Sequence, residues 1–160
     1  MEFAPMAYFV ILLAIAAVVG PLMAVVPSKR QRALASARDR AAEAGVVVTL
    51  REPTHIPPRL MRITDNPMVC YGLRVAPREA RDWQRDTWVR TRDGWLSASG
   101  KPSPQTILSL PEGAEVVVAG WDDIRIYWDE RGGVLATDKV INCLRLMHPD
   151  PHICAQGKPS

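Results

Sequence analysis

The chain has 160 residues and a formal net charge of +3, from 20 Lys and Arg residues against 17 Asp and Glu residues. Residues 28–45 contain five of the bases and two of the acids, so this segment alone carries +3. Glu2 is one more acid, and residues 46–160 therefore have 15 bases against 14 acids. A nearly neutral body disfavours nucleic-acid binding. Three cysteines without framework spacing disfavour a disulfide-stapled fold.

The segment Met6–Val26 contains no charged residue and is apolar on every face of a helix. About 20 apolar residues suffice to cross the roughly 30 Å hydrocarbon core of a bilayer. The pattern therefore predicts a transmembrane helix within an anchor of residues 1–27. A cleaved signal peptide is the alternative, but it needs a basic start and a shorter apolar run. The only charge before the segment is that of Glu2, which favours an uncleaved signal anchor.

The basic residues that follow predict the orientation of this anchor. Bases close to the end of a membrane helix favour the cytoplasmic side. The N-terminus is therefore expected outside, and the rest of the chain in the cytoplasm, at a bacterial inner membrane. The same bases are expected to contact anionic lipid headgroups. They are Lys29, Arg30, Arg32, Arg38 and Arg40.

Residues 28–45 have the composition of a basic helix next to the membrane. Ser28 can cap its start and Gly45 can close its end, and strong helix formers lie between them. One stripe of mostly small residues runs along this helix, at Leu34, Ala37, Ala41 and Ala44. The stripe fits close packing against the body or another helix, and a solvated spacer is an equally good interpretation of the pattern.

The first third of the chain has a distinctive order of segments. The apolar helix is followed by the basic run Pro-Ser-Lys-Arg-Gln-Arg at 27–32, an Ala-rich helix, and the run Gly-Val-Val-Val-Thr-Leu at 45–50. This order resembles the YajC-type accessory subunit of the bacterial preprotein translocase. That family also has one N-terminal membrane helix, a basic segment and a small β-rich cytoplasmic domain. The resemblance implies an accessory role near an inner-membrane complex and assigns no functional residue.

Residues 46–148 are expected to form one α+β domain, a small antiparallel meander sheet with a C-terminal helix packed on it. β-Favouring residues and turn signals predict strands at 46–50, 68–75, 87–92, 95–98, 116–119 and 124–128. A short helix is expected at 78–86 and a final one at Thr137–Met147. The final helix has an apolar stripe of Val140, Ile141, Leu144 and Met147. Residues 149–160 are expected to be a flexible tail.

The dipeptide Asp93-Gly94 is a favoured hairpin turn and opposes Arg92 with Trp95. Alternation along both strands then brings two arginines and two tryptophans to one face, which are Trp88, Arg90, Arg92 and Trp95. We interpret this Arg/Trp face as the candidate partner-binding surface. The alternatives are an ordinary sheet face with arginine stems over the Trp rings, or a site for a phosphate-bearing headgroup or a single-stranded base.

No catalytic or phosphate-binding motif occurs in the sequence, so we expect no enzymatic activity and no cofactor. One group of side chains has the ligand types of zinc but an uncommon spacing, namely Cys143, His148, His152 and Cys154. A buried helix cysteine followed by a frayed tail is the simpler interpretation, and we assign no metal.

These features together predict a non-enzymatic accessory or scaffold protein, anchored in the inner membrane, whose cytoplasmic domain binds a protein partner. The partner is expected to belong to an inner-membrane protein complex. The alternative is a membrane-tethered sensor domain that binds a metal or another ligand.

Overall fold

The computed structural model describes residues 3–24, 27–53, 56, 68–76 and 85–149. The chain divides into two compact units, Met1–Arg32 and Ala33–Ser160. The described helices are α1 (Phe3–Ala24), α2 (Lys29–Glu43), α3 (Gln105–Leu108) and α4 (Gly133–Met147). The described strands are β1 (Val47–Thr49), β2 (Val69–Arg74), β3 (Asp86–Thr91), β4 (Gly94–Ser97), β5 (Ala114–Ala119) and β6 (Asp123–Trp128).

The prediction of a transmembrane helix at Met6–Val26 is wrong. α1 is helical, but none of the helices in the described part of the chain is both long enough and apolar enough to cross a membrane. The single-pass signal anchor, the inner-membrane location and the orientation predicted from this segment are therefore not supported.

α2 begins and ends close to where the sequence predicted. The Ser28 hydroxyl accepts from the amide of Gln31 at 3.2 Å, and the Gln31 side chain accepts from the amide of Ser28 at 2.8 Å, which is a reciprocal capping box. Gly45 follows the helix in the left-handed region, at φ 78°. Ala37 and Ala41 of the predicted stripe are fully buried. The second half of α2 is therefore packed and is not a solvated spacer.

The six strands form one antiparallel sheet in the order β1-β2-β6-β5-β3-β4. The predicted pairing of β1 with β2 and the β5–β6 hairpin are confirmed, but the predicted meander order is wrong, because β6 lies between β2 and β5. Burial agrees with this order. β5 and β6, at the centre of the sheet, contain no exposed residue, whereas the edge strands β1 and β4 contain two each.

The main core lies between one face of the sheet and α4. The predicted stripe of α4 is confirmed, since Val140, Ile141 and Leu144 are buried there together with Trp128 and Ile126 of β6. α4 itself begins earlier than predicted, at Gly133. The opposite face of the sheet holds a second, smaller apolar cluster, whose buried members are Cys70, Val89, Val116, Val118 and Tyr127.

The β3–β4 hairpin is shifted by two residues from its predicted register, a shift that keeps each side chain on its predicted face of the sheet. Thr91 pairs with Gly94 and Arg90 pairs with Trp95, so the turn residues are Arg92 and Asp93. The Thr91 hydroxyl donates to the carbonyl of Gly94 at 2.8 Å, which closes the hairpin at this pair. A hydroxyl contact of this kind is not visible in the turn dipeptide from which the register was predicted.

Two predicted elements lie largely outside the described residues. The short helix at 78–86 overlaps them only at its end, where Asp86 is the first residue of β3. Of the predicted tail at 149–160, only residue 149 is described.

Candidate functional site

Of the four residues of the predicted Arg/Trp face, Trp88 lies deepest. It is 2% exposed and belongs to the main core, and Trp95 is half-buried against that core. Arg90 lies with its guanidinium 5.6 Å from the centre of the Trp95 ring and donates to the carbonyl of Pro111 at 2.7 Å. Trp88, Arg90 and Trp95 therefore share one face of the hairpin, and Arg90 and Trp95 form a cation–π pair there. This face lies on the side of the sheet that holds the main core and α4. Arg92 is exposed in the turn, and partner binding by this face stays a prediction.

A buried polar cluster joins α2 to the body. Arg38 donates to both carboxylate oxygens of Glu130, at 2.9 and 2.6 Å, and the Tyr71 hydroxyl donates to the same carboxylate at 2.9 Å. The Glu130 side chain is only 4% exposed. The hydrogen bond to Glu130 raises the pKa of Arg38, while burial and then the Glu130 charge raise the pKa of Tyr71 above its ordinary range. A buried carboxylate needs such partners, so this cluster holds α2 in place.

Two further contacts extend this attachment along α2. Arg40 pairs with Asp138 of α4 at 3.0 Å, and the Arg145 guanidinium lies 3.4 Å from the carbonyl of Ala44. Two of the five bases predicted to contact lipid headgroups, Arg38 and Arg40, are therefore paired with acids of the body. Lipid contact by Lys29, Arg30 and Arg32 stays a prediction.

The fixed position of α2 leaves an open groove between this helix and the edge strand β1. The groove has a volume of about 770 Å³. Its apolar lining comes from Ala42 of α2, Val46 before β1, Val47 and Val48 of β1, Leu50 after it and Val69 of β2, and its charged lining from Arg38 and Asp39 of α2. Leu50 is 77% exposed. Within the described part of the chain, β1 pairs with β2 on one side and with no strand on the other.

The opposite face of the same strands carries a basic pocket of about 170 Å³, whose charged lining residues are Arg51, Arg74, Arg125 and Asp123. Arg125 pairs with Asp123 at 2.6 Å. Arg51 and Arg74 are exposed, and neither forms an ion pair with any acid in the described ranges. Three arginines against one aspartate give this face a positive charge.

The other edge of the sheet is arranged differently. The loop after β4 folds back, and the Ser103 hydroxyl donates to the carbonyl of Trp95 at 3.0 Å. Asp86 accepts from the hydroxyls of Ser97 and Ser99 and from the amides of Thr87 and Ser99. Burial alone would raise the pKa of Asp86, but these hydrogen bonds outweigh it and lower the pKa. The loop is thus bound to β4 and occupies part of that edge.

The residues considered for zinc are only partly described. Cys143 is 1% exposed, burial raises its pKa to about 12, and its sulfur lies 3.9 Å from that of Met147. His148 is buried with Nε2 3.1 Å from the carbonyl of Arg74. His152 and Cys154 lie outside the described residues. Among the residues that are described, no group of three or more His, Cys, Asp or Glu side chains could hold a metal ion.

Sequence reasoning missed two features of this surface. Trp121, at the β5–β6 turn, is 73% exposed under the guanidinium of Arg85, which lies 3.2 Å from the ring centre. Its position in a turn between two strands was the available signal for exposure. The edge position of β1 had no such signal, because the strand order of a sheet is set by contacts between distant segments.

Comparisons with known proteins assign no family. No protein-family model matches the chain, and neither a curated protein nor a solved structure is significantly similar to it. The resemblance of the first third to the YajC-type subunit therefore stays a prediction.

Proposed function

We propose that the α+β body is a non-catalytic protein-binding module, acting as an accessory or scaffold protein, which takes up an extended segment of its partner along β1. The observation that carries this proposal is the edge of the sheet beside the α2 groove. Val47 is 53% exposed and Leu50 is 77% exposed there. An unpaired strand presents backbone amides and carbonyls to which another strand can add.

The shape of the groove supports strand addition rather than docking of a helix. One wall is the edge strand itself and the other is α2, which the pairing of Arg38 with Glu130 attaches to the body. An extended segment next to β1 would continue the sheet and place alternate side chains in the groove. Since β1 has only three residues, backbone pairing alone offers few hydrogen bonds, and side-chain contacts must supply much of the affinity.

A displayed library of random peptides of about 12 residues, selected against the full chain, tests this proposal. We expect selected peptides to slow amide hydrogen exchange at residues 47–50. Leu50→Lys should weaken their binding at least ~10-fold, because it places a charge at the apolar groove. The matched control is Leu96→Lys, at a half-exposed leucine of the other edge strand, which should leave binding unchanged. Enrichment of no peptide, or protection elsewhere than at β1, would contradict the proposal.

A further inference from the structure

We infer that the β1 edge selects an extended segment in which apolar and acidic side chains alternate. This inference rests on the proposed function and specifies the chemistry of the partner. It depends on a difference between the two faces of the sheet next to β1: one carries the apolar groove and the other the basic pocket. Successive side chains of an added strand would point alternately to these two faces.

The pairing register defines the two faces. Val48 lies opposite Tyr71, whose ring is in the main core on the helix side of the sheet. Thr49 lies opposite Cys70, which belongs to the second cluster on the other side. A strand added beside β1 would therefore direct one set of its side chains toward the α2 groove and the alternate set toward the basic pocket.

The helix side of this edge favours apolar side chains. Val48, Leu50 and Val69 line the groove at the strand side, and Ala42 lines it at the helix side together with Asp39, whose carboxylate would repel an acidic side chain. The base that lines the groove, Arg38, has its guanidinium bound to Glu130 in two hydrogen bonds. Aliphatic side chains that enter this groove remove apolar surface from water, whereas a charged one would lose hydration there.

The other side favours acidic side chains. By strand alternation, Arg51 lies on the same face of the sheet as Val47. Arg74 lies on that face too, because it follows Gly72, the partner of Val47, by two residues on β2. Gly72 itself has no side chain, and a Cβ at this position would lie 3.9 Å from the Cγ of Arg125. The absence of a side chain on β2 leaves the stem of Arg125 accessible from β1. Carboxylates placed there would face three guanidinium groups and one aspartate.

Two synthetic peptides test this inference on the full chain. One alternates valine with glutamate, and the other alternates valine with lysine. We expect the glutamate peptide to bind at least about fivefold more tightly than the lysine peptide. Its carboxylates attract the arginines of the basic pocket, whereas lysines repel them, and each such exposed pair contributes modestly. The difference should shrink between about 0.05 and 1 M salt, as screening shortens the range of the interaction.

Charge reversal on the protein gives the matching experiment. Arg51→Glu and Arg74→Glu should each reduce or reverse the preference for glutamate over lysine. Lys101→Glu is the control, because this exposed lysine follows β4 at the other edge of the sheet, and it should leave the preference unchanged. Equal binding of both peptides with protection of residues 47–50, or a preference for lysine, would overturn the inference and leave the proposed function standing. Absence of protection by these and by all selected peptides would overturn the proposed function itself.

Discussion

Arg38 and Glu130 are 92 residues apart in the chain and are joined by two hydrogen bonds of 2.9 and 2.6 Å. The carboxylate also accepts from Tyr71, and Glu130 adopts a left-handed backbone conformation at φ 56°. A residue other than glycine seldom occupies this region unless its surroundings hold it there. The cluster therefore determines where α2 lies, and with it the wall of the groove beside β1.

Replacing Arg38 tests the strength of this attachment. Arg38→Ala leaves the nearly buried Glu130 carboxylate with Tyr71 as its hydrogen-bond donor, and we expect the free energy of unfolding to fall by about 2 kcal/mol. This value lies below that of a fully buried pair, because the Arg38 side chain is 43% exposed. Denaturation in urea, followed by circular dichroism, measures it.

Arg40→Ala is the matched control for that experiment. Arg40 and Asp138 are both about half exposed, so solvent screens their interaction and the change in stability should be clearly smaller. Equal losses for Arg38→Ala and Arg40→Ala would show that the buried cluster has no special part in holding α2.

Asp86 makes stability depend on pH in the acid range. Its hydrogen bonds to Ser97, Ser99 and Thr87 lower its pKa in the folded state, whereas the unfolded value is about 3.9. The unfolded state therefore takes up the proton first, and the stabilisation is present above about pH 4 and is lost as the pH falls through the folded pKa. Asp86→Asn should cost about 1–3 kcal/mol at pH 7, and the difference from the unmodified protein should shrink as the pH falls below about 4.

Denaturation curves between about pH 2 and 7 measure this dependence. A difference between Asp86→Asn and the unmodified protein that stays constant over the whole range would mean that the carboxylate charge contributes nothing. Thr106→Ala serves as a control outside this network.

The tryptophans separate core packing from surface contact. Trp88→Ala removes a ring that is 2% exposed, and we expect a loss of about 3–5 kcal/mol in unfolding free energy. Trp121→Ala removes a ring that is 73% exposed and contacts Arg85, so it should cost about 1 kcal/mol or less. Thermal unfolding of both variants measures the two losses in stability. A stable Trp88→Ala variant would contradict the burial of that side chain.

Thiol chemistry reports on the packing of α4. Burial raises the pKa of Cys143 to about 12, so at pH 8 the thiol is almost entirely protonated and little of the reactive thiolate is present. We expect alkylation of Cys143 at pH 8 to be slow in the folded protein and fast in urea, with peptide mapping to read each cysteine separately. Rapid labelling of Cys143 without denaturant would show that α4 is not packed as described.

The sequence by itself determined the elements whose signals are local. Ser28 and Gly45 marked the ends of α2, the spacing of Val140, Ile141 and Leu144 identified the buried side of α4, and the turn between β5 and β6 was recognised. Each of these depends on residues a few positions apart, so side-chain chemistry and helical or strand periodicity are enough.

Only the tertiary structure decided the rest. Hydropathy alone predicted a membrane span at Met6–Val26. The predicted β3–β4 pairing was two residues out of register, and the predicted meander order did not place β6 beside β2. The candidate site shares this origin, because the groove exists only where α2 meets β1 and Arg38 meets Glu130. Such contacts join segments that are far apart in the chain. They depend on the complementary shapes of the packed surfaces and on the pairing of buried charges, and the spacing of residues along the chain specifies neither.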